Sequence, residues 1–265
     1  MGAGIATSLL VIGERVSVVE TSAEFVEGAI GRVTDSLERL ARRSGNIDPD
    51  EALGRLDART DHGSAEAELV IEAVPEDLAL KQALLASLEE IYPPTTILAS
   101  NTSSLSITSM ASVLKRPERF LGMHFFNPVP VSRLVELVVG DATDEATVAT
   151  ARAWVERLDK TPIVVNDSPG FASSRLGIAL GLEAIRMFEA GVASAADIDS
   201  AMQLGYQHPM GPLKLTDLVG LDIRLAIAEH LAVELGERFE PPELLRSMVA
   251  DGKLGKKTGQ GFYSW

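Results

Sequence analysis

The chain has 265 residues, 46% hydrophobic and 23% charged, which is ordinary globular composition with room for one larger and one smaller domain. A formal net charge of −14 argues against a nucleic-acid partner, because binding a phosphate backbone needs clustered Lys and Arg. With no cysteine, disulfides, Cys-type zinc sites and thiol catalysis are excluded, and the four histidines, at 62, 124, 208 and 230, lie too far apart for an HExxH-type metal pattern.

No apolar run reaches the roughly 18 residues of a membrane span. The start Met1-Gly2-Ala3-Gly4-Ile5 lacks the basic stretch of a secretory signal, so a cytoplasmic location is expected. Met1 to Ala6 open a helix over 2–12, and Arg15 to Glu20 form a strand ending in an acid. That order is the tail of a dinucleotide-binding unit: Gly2 at the helix start, then Glu20 accepting hydrogen bonds from ribose hydroxyls. A carboxylate there repels a 2′-phosphate, so NAD is favoured over NADP. The strand and first two glycines of the fingerprint would precede Gly2. Their absence suggests a truncated sequence record, undescribed N-terminal residues or a misassigned start, with a genuinely shortened, inactive protein as the alternative. It also predicts unpaired strand edges.

A long helix is predicted over 22–44, carrying Arg32, Arg39, Arg42 and Arg43, followed by a polar stretch to Asp50 and another short helix. Strands are expected at Val16–Glu20, Leu69–Ala73, Ile97–Ser100, Phe120–His124, Leu134–Val139 and Ile163–Val165. Helices over 78–91, 106–114 and 144–158 alternate with them. This alternation predicts a Rossmann-like, doubly wound, mostly parallel sheet. The turn residues Asn166 to Phe171 place a boundary, giving domains 1–166 and 167–265. Beyond it the pattern is helical near 171–190, 194–204, 211–219, 221–236 and 241–251. Its large apolar content suits an all-helical domain that completes its core in a homodimer.

Three segments converge on one chemistry: Ser100-Asn101-Thr102-Ser103-Ser104, Gly122-Met123-His124-Phe125-Phe126-Asn127-Pro128-Val129-Pro130 and Leu134-Val135-Glu136. Each sits at a strand end, facing the crevice where such folds bind ligands. Together they resemble the L-3-hydroxyacyl-CoA dehydrogenase family, including the bacterial 3-hydroxybutyryl-CoA dehydrogenases. Further matches at Ile71 to Glu76, Ser168 to Phe171, Pro209 to Pro212 and Gly255 to Tyr263 extend the resemblance over nearly the whole chain.

The resemblance implies NAD-dependent oxidation of a short (3S)-3-hydroxyacyl-CoA to the 3-ketoacyl-CoA. His124 serves as general base and acid, and Glu136 orients it. Ser103 hydrogen-bonds the substrate oxygen; residues Asn101 to Ser104 also read as a polar turn and N-cap. The cofactor positions carried over are Glu20, Ala73, Glu76, Lys81, Ser103, Asn127 and Lys257. Lys81 alone would read as a solvated helix charge. Ser36 and Arg43 fall at coenzyme A positions, the second commonly lysine in the family, though a solvated helix face explains the arginines equally well. Ser174 departs from a family asparagine that helps hold the catalytic carboxylate and substrate, and Ser174→Asn is expected to keep or raise turnover. Ser132-Arg133 replaces a common Met-Lys near the substrate entrance, with a bearing on chain length or an acyl carboxylate. Two other readings stay open: a free hydroxy-acid dehydrogenase of L-gulonate type, and a non-catalytic dimeric protein that has lost NAD affinity.

Overall fold

The computed structural model describes residues 1–62 and 66–265. The chain divides into two compact units, Met1–Asp167 and Ser168–Trp265.

The first unit is α/β. Its order is α1 (Gly2–Val11), β1 (Val16–Val19), α2 (Ala23–Ser44), α3 (Pro49–Leu53), β2 (Leu56–Arg59), β3 (Leu69–Glu72), α4 (Leu78–Ile91), β4 (Ile97–Ser100), α5 (Ile107–Ala111), β5 (Phe120–Phe125), β6 (Leu134–Val139), α6 (Glu145–Arg157) and β7 (Thr161–Asn166). Strands β1 and β2 pair parallel as a small sheet, while β3-β4-β5-β6-β7 form a second one. Strand β2 escapes the sequence pattern because Leu56-Asp57-Ala58-Arg59 is short and half polar, and pairing with β1 in register Val16↔Leu56 stabilises it. The sheet also departs from uniform parallelism: β6 runs antiparallel to β5. The connection Phe126–Arg133 contains no helix, and parallel strands need a longer crossover than it supplies.

Helix α1 is apolar on two sides because it packs on two layers. Ile5, Leu9 and Ile12 join Ile97, Ala99, Leu121 and Met123 of the larger sheet. Ala3, Ala6 and Leu10 join Val33 and Leu37 of α2 and Val16, Val18 and Leu56 of the small sheet. Helix α2 begins where the Ser22 hydroxyl accepts from the Phe25 amide and ends at Gly45 in the left-handed region. It buries Ala29, Val33 and Leu37 along one stripe.

The second unit comprises α7 (Ser173–Glu189), α8 (Ala195–Gly205), α9 (Pro212–Val219), α10 (Leu221–Leu235) and α11 (Glu243–Ala250) around a core that includes Ile178, Leu182, Leu213, Leu221 and Leu231. Two buried carboxylates tie its ends together. Asp199 accepts from the Leu213 and Lys214 amides and the Tyr263 hydroxyl. Asp217 accepts from the Phe262 and Tyr263 amides and the Trp265 indole. Glycine is required at 261, where a Cβ would lie 2.1 Å from Asp217 Oδ1. No helix among the described residues is long and apolar enough to cross a membrane.

Candidate active site

Strand β5 is buried along its whole length, so a polar side chain on it must find a partner. The antiparallel register sets His124 directly opposite Glu136, and His124 Nδ1 lies 2.7 Å from Glu136 Oε2. His124 is 6% exposed and Glu136 fully buried. A carboxylate at Nδ1 holds the proton on that nitrogen, which leaves Nε2 as the basic position of the neutral ring. The Phe126 ring stands beside the imidazole, centroids 4.4 Å apart.

Asn101, read from sequence only as part of a polar turn, fastens this strand end. Its Oδ1 accepts from the Phe125 amide at 2.9 Å, and its own amide donates to the Glu72 carbonyl at 2.9 Å. The ends of β3, β4 and β5 are thereby locked beside His124.

After β5 the chain turns through the cis Asn127–Pro128 peptide and buries Val129. Lys160, which the sequence reading passed over, holds this loop. It is 8% exposed and donates to the carbonyls of Val129 and Ser132, each at 2.6 Å. Burial lowers its pKa. No local signal marks Lys160, because a lysine between a helix and a strand ordinarily points to solvent. Asn127 stays exposed at the loop's start.

A second polar cluster supports the turn after β4. Glu72 and Lys81 are both buried, and Lys81 Nζ contacts the two Glu72 oxygens at 2.8 and 2.9 Å and the Val74 carbonyl at 3.2 Å. Ser100 donates its hydroxyl to Glu72 and accepts from the Thr102 amide. Lys81 is therefore not a solvated helix charge: its ammonium is committed to the interior, with Glu76 a further 3.4 Å contact. Glu76 Oε1 accepts from the Thr102 hydroxyl at 2.6 Å and from the amides of Ser103 and Ser104 at 2.9 and 3.0 Å. Burial pushes the Glu76 pKa up, but these hydrogen bonds and the Lys81 charge outweigh it, and the net shift is downward. Ser103, held by its backbone, is exposed.

Helix α1 starts without a side-chain cap; the Gly4 and Ile5 amides donate to the Met1 carbonyl, which leaves those of Gly2 and Ala3 for an anion. The helix start is packed against the strand ends: a Cβ on Gly2 would lie 3.7 Å from Ala73 Cβ, and one on Gly4 would crowd Val129 at 3.1 Å. Gly4 is thus the tighter glycine, a role the sequence reading did not give it. Glu20 lies half-buried just past β1, its amide donating to Arg59. These uncapped amides, a glycine-bare approach and a strand-end acid suit a dinucleotide. On α2, half-buried Ser36 and exposed Arg43 are two turns apart on one stripe with Arg32 and Arg39. Ser174 and Lys257 belong to the helical unit. Ser174 is the second residue of α7, and Lys257 Nζ pairs with Asp222, 2.6 Å from Oδ2.

Residues 1–168 match the family model described as 3-hydroxyacyl-CoA dehydrogenase, NAD binding domain, and residues 170–265 match its 3-hydroxyacyl-CoA dehydrogenase, C-terminal domain. The chain is 43% identical to a probable 3-hydroxybutyryl-CoA dehydrogenase of Bacillus subtilis, over 100% of this chain and 94% of the relative. It is 44% identical to a 3-hydroxybutyryl-CoA dehydrogenase of Mycobacterium tuberculosis, over 100% and 95% respectively. Among solved structures, the (S)-3-hydroxybutyryl-CoA dehydrogenase of Ralstonia eutropha superposes with a TM-score of 0.94 at 42% identity, covering 100% of this chain and 95% of that one.

Proposed function

The chain belongs to the 3-hydroxyacyl-CoA dehydrogenase family, with an NAD-binding domain followed by the family's C-terminal domain, and from that premise we propose that it oxidises a short (3S)-3-hydroxyacyl-CoA to the 3-ketoacyl-CoA. The observation that carries this reading is the buried His124 Nδ1 to Glu136 Oε2 contact of 2.7 Å at a strand end of the NAD-binding domain.

Oxidation of a secondary alcohol removes a proton from oxygen and a hydride from carbon; NAD, when bound, accepts the hydride. His124 Nε2 takes the hydroxyl proton, and Glu136 stabilises the imidazolium as it forms. Ser103 offers its hydroxyl to the substrate oxygen from a turn whose amides Glu76 has fixed. In the reverse direction His124 returns the proton. For the cofactor, the α1 start at Gly2, with Ala73, Glu76 and Asn127, lines the proposed binding edge, Glu20 takes the adenosine ribose, and Lys257 is assigned from the resemblance. Lys81 supports that edge through Glu72 and Glu76. Ser36 and Arg43 form part of a basic helix stripe suited to coenzyme A phosphates. Ser174 is assigned to the substrate side of α7 on the same resemblance.

We further propose a homodimer formed through the helical unit, which exposes Leu176, Leu204, Tyr206 and Val233 at 70 to 84%. Sedimentation of a monomer at micromolar concentration would remove that part of the reading. A cytoplasmic setting suits the cysteine-free composition.

The test is consumption of NADH with acetoacetyl-CoA. Turnover in the wild-type chain and its loss in His124→Ala are expected. Full activity in His124→Ala, or none in the wild-type protein, would defeat the proposal.

A further inference from the structure

The parallel pairing of β4 with β5 ends at Ser100 opposite Gly122, so Met123, His124 and Phe125 run on past the end of β4. Along the other edge β6 holds them, with Met123 opposite Leu137, His124 opposite Glu136 and Phe125 opposite Val135. Strand β5 is buried along its length, so an N–H group on it that points toward β4 needs an acceptor that β4 itself no longer supplies.

Asn101 supplies it. Its Oδ1 accepts from the Phe125 amide at 2.9 Å, in place of the carbonyl that a longer β4 would offer. The backbone that carries this side chain is fixed on its own account: the Asn101 amide donates to the Glu72 carbonyl at 2.9 Å, and the Ser100 hydroxyl accepts from the Thr102 amide at 3.1 Å. A substitution at 101 therefore removes the bond to Phe125 and leaves the backbone bond to Glu72 in place.

The Phe125 nitrogen belongs to the planar peptide that also contains the His124 carbonyl. Anchoring that N–H fixes ψ of His124, and with it the direction in which the imidazole leaves the strand. In the trans plane the His124 carbonyl points the other way, toward β6. The peptide next to the imidazole is thus gripped from both edges, by Asn101 and by the strand that carries Glu136. The contact it governs, His124 Nδ1 to Glu136 Oε2, is 2.7 Å long, and a rotation that lengthened it by about 1 Å would leave no hydrogen bond.

We propose that Asn101 is a positioning residue: through the His124–Phe125 peptide it sets the imidazole against Glu136 and so aims Nε2 for proton transfer. That Asn101 sets the His124–Glu136 contact stands on this geometry alone. Its effect on turnover rests on the proposed dehydrogenase activity.

The experiment compares wild type with Asn101→Leu, which keeps the volume and loses the acceptor, and with Asn101→Asp, which keeps an oxygen for the Phe125 amide. The first readout is the low-field proton resonance of His124 Nδ1–H, assigned by its loss in His124→Ala, and it needs no substrate. It is expected in wild type and in Asn101→Asp, and in Asn101→Leu it is expected to move upfield or broaden away. The second readout is turnover of acetoacetyl-CoA with NADH. In Asn101→Leu kcat is expected to fall about 10- to 100-fold with both KM values nearly unchanged, as when a reacting group is misplaced by about 1 Å. Asn101→Asp is expected to recover most of that loss at its own optimum pH. An unchanged resonance or an unchanged kcat in folded Asn101→Leu overturns the inference. Equal losses in Asn101→Leu and Asn101→Asp overturn it as well, and so does a rise in both KM values that accounts for the fall in kcat/KM, which is general loosening. If Asn101→Leu does not fold, Asn101→Ala takes its place in both measurements. A wild-type protein that turns over no acetoacetyl-CoA defeats the dehydrogenase reading and the kinetic part of this one, while the resonance still decides whether Asn101 sets the imidazole.

Discussion

Glu136 stands directly across from His124 on the antiparallel pair β5 and β6, and its Oε2 lies 2.7 Å from His124 Nδ1 with both side chains buried. Glu136→Gln keeps the volume but removes the charge that stabilises an imidazolium. We expect kcat to fall roughly 10² to 10⁴-fold with KM for NADH nearly unchanged. Steady-state kinetics decide it, and a loss smaller than tenfold would take the carboxylate out of the mechanism.

Lys160 is the positioning residue of the loop that carries Asn127. Lys160→Met strands the Val129 and Ser132 carbonyls that it now satisfies. A cost of about 1–3 kcal/mol is expected from one buried acceptor and one part-buried acceptor left unpaired, together with a larger rise in KM for NADH than for acetoacetyl-CoA. Urea unfolding and the two KM values check both parts. Equal changes in the two KM values would argue for general loosening instead.

Lys81 and Glu72 form a buried pair. Lys81→Met alone leaves a buried carboxylate without its cation and is expected to cost about 3–5 kcal/mol, whereas the double variant Glu72→Met/Lys81→Met should recover most of it. Measuring NADH affinity in the double variant separates the supporting role from direct cofactor contact. Restored stability with restored affinity speaks for support; restored stability with lost affinity speaks for contact.

Although burial raises it, the Thr102, Ser103 and Ser104 hydrogen bonds and the Lys81 charge hold the Glu76 carboxyl below its ordinary range in the folded protein. A carboxyl group depressed on folding contributes stability that is present above its unfolded pKa and lost as pH falls through the folded value. Thermal unfolding of wild type and Glu76→Gln should therefore differ most near neutrality and converge as pH falls from the ordinary glutamate value of about 4.3 through the lowered folded one. The side chain is 35% exposed, so the amplitude is modest. A difference that grows toward acid pH would contradict the assignment.

The sequence by itself determined most helices and strands, since apolar periodicity, N-caps such as Ser22 and Asp77 and stops such as Gly45 act over a few residues. It also determined the run from His124 to Pro130 and the acid at 136, because residue types at strand ends are visible without coordinates. What only the tertiary structure decided are relationships across distant segments. The short Phe126–Arg133 connection reverses β6, and that reversal brings Glu136 to His124. Lys160 reads as an ordinary surface lysine until the Val129 and Ser132 carbonyls are seen to converge on it, and Lys81 until Glu72 is found beneath it. Arg224 looks like one more helix cation until its burial appears, with its Nε unpaired among the described residues. Local physics sets an element from its neighbours in sequence. The partner of a buried charge is set by packing, which a linear pattern does not contain.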